Sequence, residues 1–545
     1  MKKRIVLFII FALAVIFLSI FFTLQYDIYS YHLWAYTAIK EGTHEVYNSA
    51  KYFTGACDYT HIGTYICLFQ GKLLSYIKPL ELASAPLLFF FKLLPLAFLM
   101  IFMSKHVLSD DKRKRIFGYV LALPFGISII VNGQFDIIIL MLLTMTVWEF
   151  EKKNVRSALF LSFITLLVKQ TAVFFVGLIL LHYFAKTENK SKYLKNTFVA
   201  GIVIFISVSL PFILKNNLLE SIHGLLSNTF IYSSSQGYVF NIFSILYSIK
   251  PFEANYNIGG LSIATYSLIA TFLLTLWIAL IKGWDIYKKL ALYSILWFNL
   301  LLGLREQHLL YPLYFISIFT FKTKKQLPFM MLYSAITIFN IVMFNPNLSQ
   351  FVFKIPYPPI KVVSVLSFIQ IVISLSAVVL ILKEKQHVKK AAEVSSFTKR
   401  EALQTIIFFL AMTIFAEFAP GFIRRNEKEL FSDAMINKKL VDFSKDRYID
   451  LNVITLSSFE NYLGARMSDG SFLKIANNGG YSELTFDARM EYVDVGMVII
   501  NNDTFEISGI LKNAKMDVKE ADTIIIKSVS PKKFSQVALY NIRVK

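Results

Sequence analysis

Residues 2–24 read KKRIVLFIIFALAVIFLSIFFTL, a cationic start followed by an apolar run long enough to cross a bilayer. The run exceeds the 7–15-residue core of a secretory signal, and no small-x-small cleavage site follows it. It is therefore expected to be a retained first helix. The next residues, 24–34, are LQYDIYSYHLW. A plain anchor needs only an aromatic fringe at the membrane rim. Asp27 and His32, set among tyrosines and Trp34, raise the possibility of chemistry there.

The whole chain repeats the first pattern. Its 545 residues are 56% hydrophobic, include 52 Phe and are only 17% charged. A soluble domain averages about 25% charged residues. The formal charge of +20 is not a nucleic-acid footprint, because Lys and Arg fall in short clusters between apolar runs. Spans are expected near residues 5–24, 82–104, 116–132, 135–150, 157–169, 172–185, 197–214, 260–281, 289–304, 309–321, 327–344, 360–382 and 402–419, about thirteen in all.

Alternating sides separates the charges. MKKR, SDDKRKR, EKKNVR, KTENKSKYLK, KGWDIYKK, KTKK and KEKQHVKKAAEVSSFTKR fall on one face. The other short turns carry little: NGQFD has no cation, VKQT has Lys169 and REQH has Arg305. The bias puts the N-terminus in the cytoplasm and, after an odd number of spans, the C-terminus outside. The expected architecture is mostly α: a polytopic helical bundle over 1–419. Residues 420–545 follow as a small extracytoplasmic β-rich or α+β domain of about 125 residues. YIDLNVITL, ADTIIIKSV and QVALYNIRV alternate like strands, and Pro420-Gly421 marks the start. Residues 25–81 and 215–259 are the other long outer segments. Cys57 and Cys67 lie in the first of them, where a disulfide is allowed, although two small apolar residues are the plainer reading.

Polar groups gather at the outer helix ends. Gln134 and Asp136 sit in VNGQFDIIIL, Lys169 and Gln170 in LLVKQTAVFF, and Arg305, Glu306 and His308 in LGLREQHLLYP. Asp27, His32, Asp58 and His61 come from the first outer segment. Each turn alone is ambiguous, since hairpins hold polar residues anyway. Acids and bases on one face suit substitution at a phosphorylated sugar. A carboxylate can take the acceptor's proton, while Arg, Lys and His hold the leaving phosphate.

These residues resemble the GT-C superfamily of polytopic glycosyltransferases, which use lipid-phosphate sugars. The first outer segment is similar to D-Y-E-A-Q-R-H-W of the glucosyltransferases of N-glycan precursor assembly, with Asp27 and Trp34 at that spacing and His32 near the family's His. DYTHIGTY resembles their D-Y-P-P-L-T-A-Y. It keeps Asp58, Tyr59 and Tyr65, while Thr60 and His61 replace the prolines. NGQFD is similar to a G-Q-F/Y-D segment of bacterial and archaeal members, mannosyltransferase-like enzymes among them. VKQT is similar to a K-P/Q turn. REQHLLYP is similar to H-E-R/K-x-L-x-P, with Arg305 where His is usual. The segments keep the family's order across roughly 5–320.

The resemblance implies a hexose transferred from a polyprenyl-phosphate donor to a glycan, lipid or protein acceptor at the outer face. It implies Asp27 as general base, with the other named residues binding substrate and Trp34 stacking on a sugar. No P-loop, GxGxxG or metal-spaced Cys/His cluster is present, and Asp110-Asp111 is cytoplasmic. No cofactor is expected and the reaction is expected to be metal-independent, though a divalent ion stays open. The rivals are a transporter or flippase, which would carry charges near the midplane, and a scaffold whose outer domain binds a partner.

Overall fold

Apolar runs become helices because lipid offers the backbone no partner for its N–H and C=O groups. The computed structural model describes residues 2–21, 26–47, 57, 59–78, 80, 85–215, 218–219, 221–222, 239–249, 257–302, 304–320, 327–344, 349, 359–383, 397–421 and the strands between 441 and 544. In order, the helices are α1 (Lys2–Phe21), α2 (Tyr26–Glu41), α3 (His61–Ser75), α4 (Leu93–Val107), α5 (Lys112–Asn132) and α6 (Asp136–Glu151). They continue as α7 (Val155–Val168), α8 (Val173–Lys186), α9 (Lys190–Leu214), α10 (Ile242–Ile249) and α11 (Ile263–Leu280). The last five are α12 (Ile286–Leu300), α13 (Leu310–Thr320), α14 (Leu327–Phe344), α15 (Ile360–Lys383) and α16 (Lys399–Phe418).

A helix lies in every stretch expected to span. Among the described residues, seven are long and apolar enough to cross a membrane: Leu87–Val107, Lys114–Asn132, Lys190–Leu214, Ile263–Leu280, Leu327–Phe344, Lys361–Lys383 and Lys399–Phe418. Arg4–Ile20, Val155–Val168 and Gln170–Lys186 are apolar but shorter. Leu13, Phe198, Leu214, Phe272, Phe368 and Phe418 are each more than half exposed. That much open apolar surface is a lipid-facing surface rather than a wet one. By contrast α6 is buried along nearly its whole length.

The chain divides into two compact units: residues 1–23, 58–70 and 89–419, and residues 24–57, 71–88 and 420–545. In the first, α4 packs on α5, α6 on α7, α8 on α11 and α12 on α13. Lys92 is among the cations enclosed there. Lys92, fully buried, donates from Nζ to the carbonyl of Ser19, 3.3 Å away near the end of α1, and to that of Ile130 near the end of α5. Its charge meets the partial negative charge of two helix C-termini.

In the second unit, residues 26–41 and 61–75, expected as part of an outer loop, are helical (the latter shared with the first unit). The reason for α2 is a buried stripe at helical spacing, Ile28, Tyr31, Ala35 and Ala38, which the tyrosines and polar residues between them obscure. Residues 215–259 likewise contain α10 and begin a short hairpin of β1 (Asn257–Ile258) and β2 (Leu261–Ser262). Cys57 and Cys67 are both buried, and neither is in a disulfide.

The alternating tail forms β3 (Val441–Phe443), β4 (Ile449–Leu456), β5 (Glu460–Ser468), β6 (Phe472–Ala476) and β7 (Glu483–Glu491). It continues with β8 (Val495–Ile500), β9 (Asp503–Ser508), β10 (Ile510–Asp517), β11 (Thr523–Val529) and β12 (Gln536–Val544). These make two five-stranded antiparallel sheets, in the orders β10-β7-β12-β5-β4 and β3-β6-β11-β8-β9. Phe486 of the first meets Phe505 of the second edge to face, with centroids 5.4 Å apart. Next to the strands, Tyr76 donates to the Pro420 carbonyl at 2.9 Å, and α2 packs near β4.

Candidate functional site

The NGQFD turn is built by a helix stop. Gly133 takes φ +60°, a left-handed conformation that glycine adopts freely, and its N–H closes on the Ile129 carbonyl at 2.9 Å. The chain then re-enters a helix at Asp136, whose carboxylate stands at the positive end of α6. The second turn is sharper still. Lys169 is extended (φ −157°, ψ +136°) between the end of α7 and a single tight turn at Gln170–Ala172. The third is the short turn Glu306–Leu309 between α12 and α13.

These three turns converge. Lys169 Nζ donates to Gln134 Oε1 at 2.9 Å and to Asp136 Oδ2 at 3.4 Å. Tyr311, in the first turn of α13, donates to Asp136 Oδ1 at 2.9 Å. Tyr59 donates to Gln134 Oε1 at 3.0 Å, and the Lys169 ammonium stands 5.4 Å from its ring centroid. The Asp136 and Lys169 side chains are only 1% and 6% exposed. Asn132 donates to Glu306 Oε1 at 2.8 Å, tying the first turn to the third. Asn340 of α14 donates to the Glu306 carbonyl at 2.7 Å and accepts from the Phe240 N–H at 3.0 Å. Hydrogen bonds between residues up to 175 apart in sequence thus tie these turns into one buried polar network.

The turn around His308 is also ordered. Its Nδ1 accepts the Arg305 backbone N–H at 2.8 Å, while the His308 backbone N–H returns to the Arg305 carbonyl at 3.0 Å. His308 lies in the turn between helices, outside the spans. Burial pushes its imidazole down to about 3, with Lys169 acting in the same direction and Asp136 against it. The ring is therefore neutral at ordinary pH. Gln170 is half-buried at the start of its turn, its Oε1 buried without a hydrogen-bond partner among the described residues.

Other expected residues stand elsewhere. His61, first in α3, is turned to α9: its Nδ1 pairs with Ser209 Oγ at 2.9 Å and its Nε2 with Ser221 Oγ at 3.4 Å. Its ring stacks on Phe212 at 4.5 Å. In the second unit, His32 Nε2 donates to the Leu80 carbonyl at 3.0 Å, and Trp34 is buried beside Tyr31 with centroids 5.6 Å apart. Asp27 is the second residue of α2; its side chain and Asp58 lie outside the described residues. Among the described residues, no group of three or more His, Cys, Asp or Glu is placed to hold a metal ion.

Sequence reading missed Tyr311, Asn132, Asn340 and Gly63 as members of the network. A Cβ on Gly63 would meet the Val168 carbonyl at 2.3 Å and Tyr59 Cδ1 at 2.9 Å, so only glycine lets α3 approach the Lys169 turn this closely. Tyr311 lies inside REQHLLYP and was within reach of the motif. An Asn in an apolar run, as at 340, was the available signal for α14.

No protein-family model matches the chain, and no curated protein does. Among solved structures, the arabinosyltransferase EmbB from Mycobacterium smegmatis, determined by single-particle cryo-EM, aligns with a TM-score of 0.23 and 9% identity. The alignment covers 97% of this chain, which spans only 64% of that structure's length.

Proposed function

We propose that this membrane protein is a GT-C-type glycosyltransferase, moving a hexose from a polyprenyl-phosphate donor to a glycan, lipid or protein acceptor outside the cytoplasm. The observation that carries the reading is the convergence of the three turn motifs on the buried Asp136–Lys169–Tyr311 network. Scattered hairpin polarity would leave each turn to its own solvent. In this reading the transmembrane part is 1–419, and 420–545 is an outer domain reached after an inside N-terminus.

Asp27 is the general base. An ordinary aspartate is ionised at neutral pH and can accept the acceptor hydroxyl's proton as oxygen attacks the anomeric carbon. Arg305, His308 and Lys169 bind the leaving phosphate, where charge grows as the bond breaks. Lys169 shares its charge between Gln134 and Asp136, so its ammonium is held in place before substrate arrives. Glu306 and Asn132 lock the third turn to the first.

A buried ion pair among helices also suits a transporter, and one set of experiments separates the two. Purified protein is incubated with a panel of polyprenyl-phosphate sugars and assayed for sugar release or transfer. Asp27→Asn keeps shape and loses basicity. It should bind donor normally and turn over at least about 100-fold more slowly. Wild-type protein that turns over no sugar lipid, yet moves solute across vesicles, would establish the transporter instead.

A further inference from the structure

Two neighbouring N–H groups inside the helical unit lack a hydrogen-bond partner among the described residues. Trp297, in α12, is fully buried against Phe175 (centroids 5.0 Å), Tyr311 (5.2 Å) and His308 (5.8 Å, rings at 88°). Its indole Nε1 is without a hydrogen-bond partner among the described residues, and so is Nε2 of His308. The tautomer of His308 follows from its other nitrogen. Nδ1 accepts the Arg305 N–H, so its lone pair points there and the proton of the neutral ring sits on Nε2. Both orphans are therefore donors.

A buried donor left unpaired costs about 1–3 kcal/mol. The acceptors of the Asp136 network are engaged, the Asp136 oxygens by Tyr311 and Lys169 and Gln134 Oε1 by Lys169 and Tyr59, while Gln170 Oε1 and Gln307 Oε1 are buried without a hydrogen-bond partner among the described residues and neither meets the two N–H groups. Neither N–H meets a protein oxygen among the described residues, which leaves both open to an oxygen from outside the protein. Lys169 and Arg305 both act on His308 and favour an oxygen that carries negative charge, against the opposing carboxylate of Asp136.

We propose that Trp297 is a substrate-binding residue, its indole N–H and the His308 Nε2–H together holding a phosphoryl oxygen of the lipid-linked donor. The assignment rests on the transferase reading above. It adds to that reading a residue outside every motif of the sequence, and a reason for tryptophan at 297 rather than phenylalanine.

The test uses the indole protons as reporters. The chain has 5 Trp, so protein labelled with 15N at the indole gives few cross-peaks. The one missing in Trp297→Phe belongs to residue 297. Adding undecaprenyl phosphate in micelles should move that peak downfield, and undecaprenol should not. Trp297→Phe should bind undecaprenyl phosphate about 10-fold or more weakly, the loss expected for a bond to a charged acceptor, with undecaprenol binding unchanged. A peak that stays still while the lipid phosphate binds overturns the assignment, and so does equal affinity in Trp297→Phe. An upfield peak indifferent to lipid overturns it too, since it would place the N–H on a ring face. An equal response to inorganic phosphate overturns the lipid source. Wild-type protein that does not bind undecaprenyl phosphate refutes the transferase reading itself, a result distinct from the others.

Discussion

Removing Asp136 should expose how tightly the network is coupled. Its Oδ2 lies 3.4 Å from Lys169 Nζ, and both side chains are almost wholly buried. At that separation and an effective dielectric of 20, the attraction is about 5 kcal/mol. Burying both ions offsets much of this, so the pair's net worth is smaller than the cost of breaking it. Asp136→Ala strands the ammonium and frees the Tyr311 hydroxyl, and should destabilise by about 3–5 kcal/mol. Asp136→Asn can keep the Tyr311 bond and should cost less. Lys169→Met strands the carboxylate in turn. Asp136→Ala with Lys169→Met should cost about 2–3 kcal/mol less than the sum of the two single changes. The assay is denaturant unfolding in mixed micelles, run as a double-mutant cycle at low salt and again at about 0.5 M. Buried charges are poorly screened, so the coupling should survive the salt. Additive single changes, or a coupling that salt removes, would refute a buried pair.

Three further outcomes are expected. Arg305→Ala should weaken lipid-phosphate binding roughly 10- to 150-fold, read by equilibrium binding, if the guanidinium holds the phosphate; unchanged binding and turnover take Arg305 out of the site. Gly63→Ala should cost about 1–3 kcal/mol, because its Cβ would strike backbone at Val168. Gly177→Ala in α8, whose Cβ would find its nearest neighbour at 3.9 Å, should unfold like wild type or later, and equal melting of both variants would contradict the packing. A cysteine introduced near residue 470 should react with an impermeant thiol reagent in intact cells; protection until lysis would reverse the sidedness argument.

The three turns were legible because each interrupts an apolar run with residues that lipid does not tolerate: Asn-Gly-Gln, Lys-Gln, Arg-Glu-Gln-His. The helices around them were equally plain, since an apolar run in lipid has little choice of backbone. The strands of the tail followed from alternation. What stayed hidden depends on distant partners. Tyr311 and Trp297 look like core aromatics until the fold sets Asp136 beside one and His308 beside the other. His61 looked like a member of the site because its neighbours in sequence are, but one helical start turns it to Ser209 of α9. The α2 helix escaped because its buried stripe is interleaved with Ser, Thr and Tyr, and its length is short for a span.

Lys92 has a consequence for how the chain is made. Lys92 lies near the start of the apolar stretch Leu87–Val107, where a lysine costs less than the figure of about 2.5–3.5 kcal/mol at a span centre but still resists leaving the translocon for lipid. Its Ser19 and Ile130 acceptors are not synthesised together. Ser19 of α1 precedes it, whereas Ile130 of α5 emerges 38 residues later. While α5 is still to be made, the ammonium has the Ser19 carbonyl but not that of Ile130. The segment carrying it therefore gains by staying at the protein-lined exit until α5 arrives, so that α1, α4 and α5 enter the bilayer as a set. The C-terminal ends of α1 and α5 are then already joined when the NGQFD turn follows.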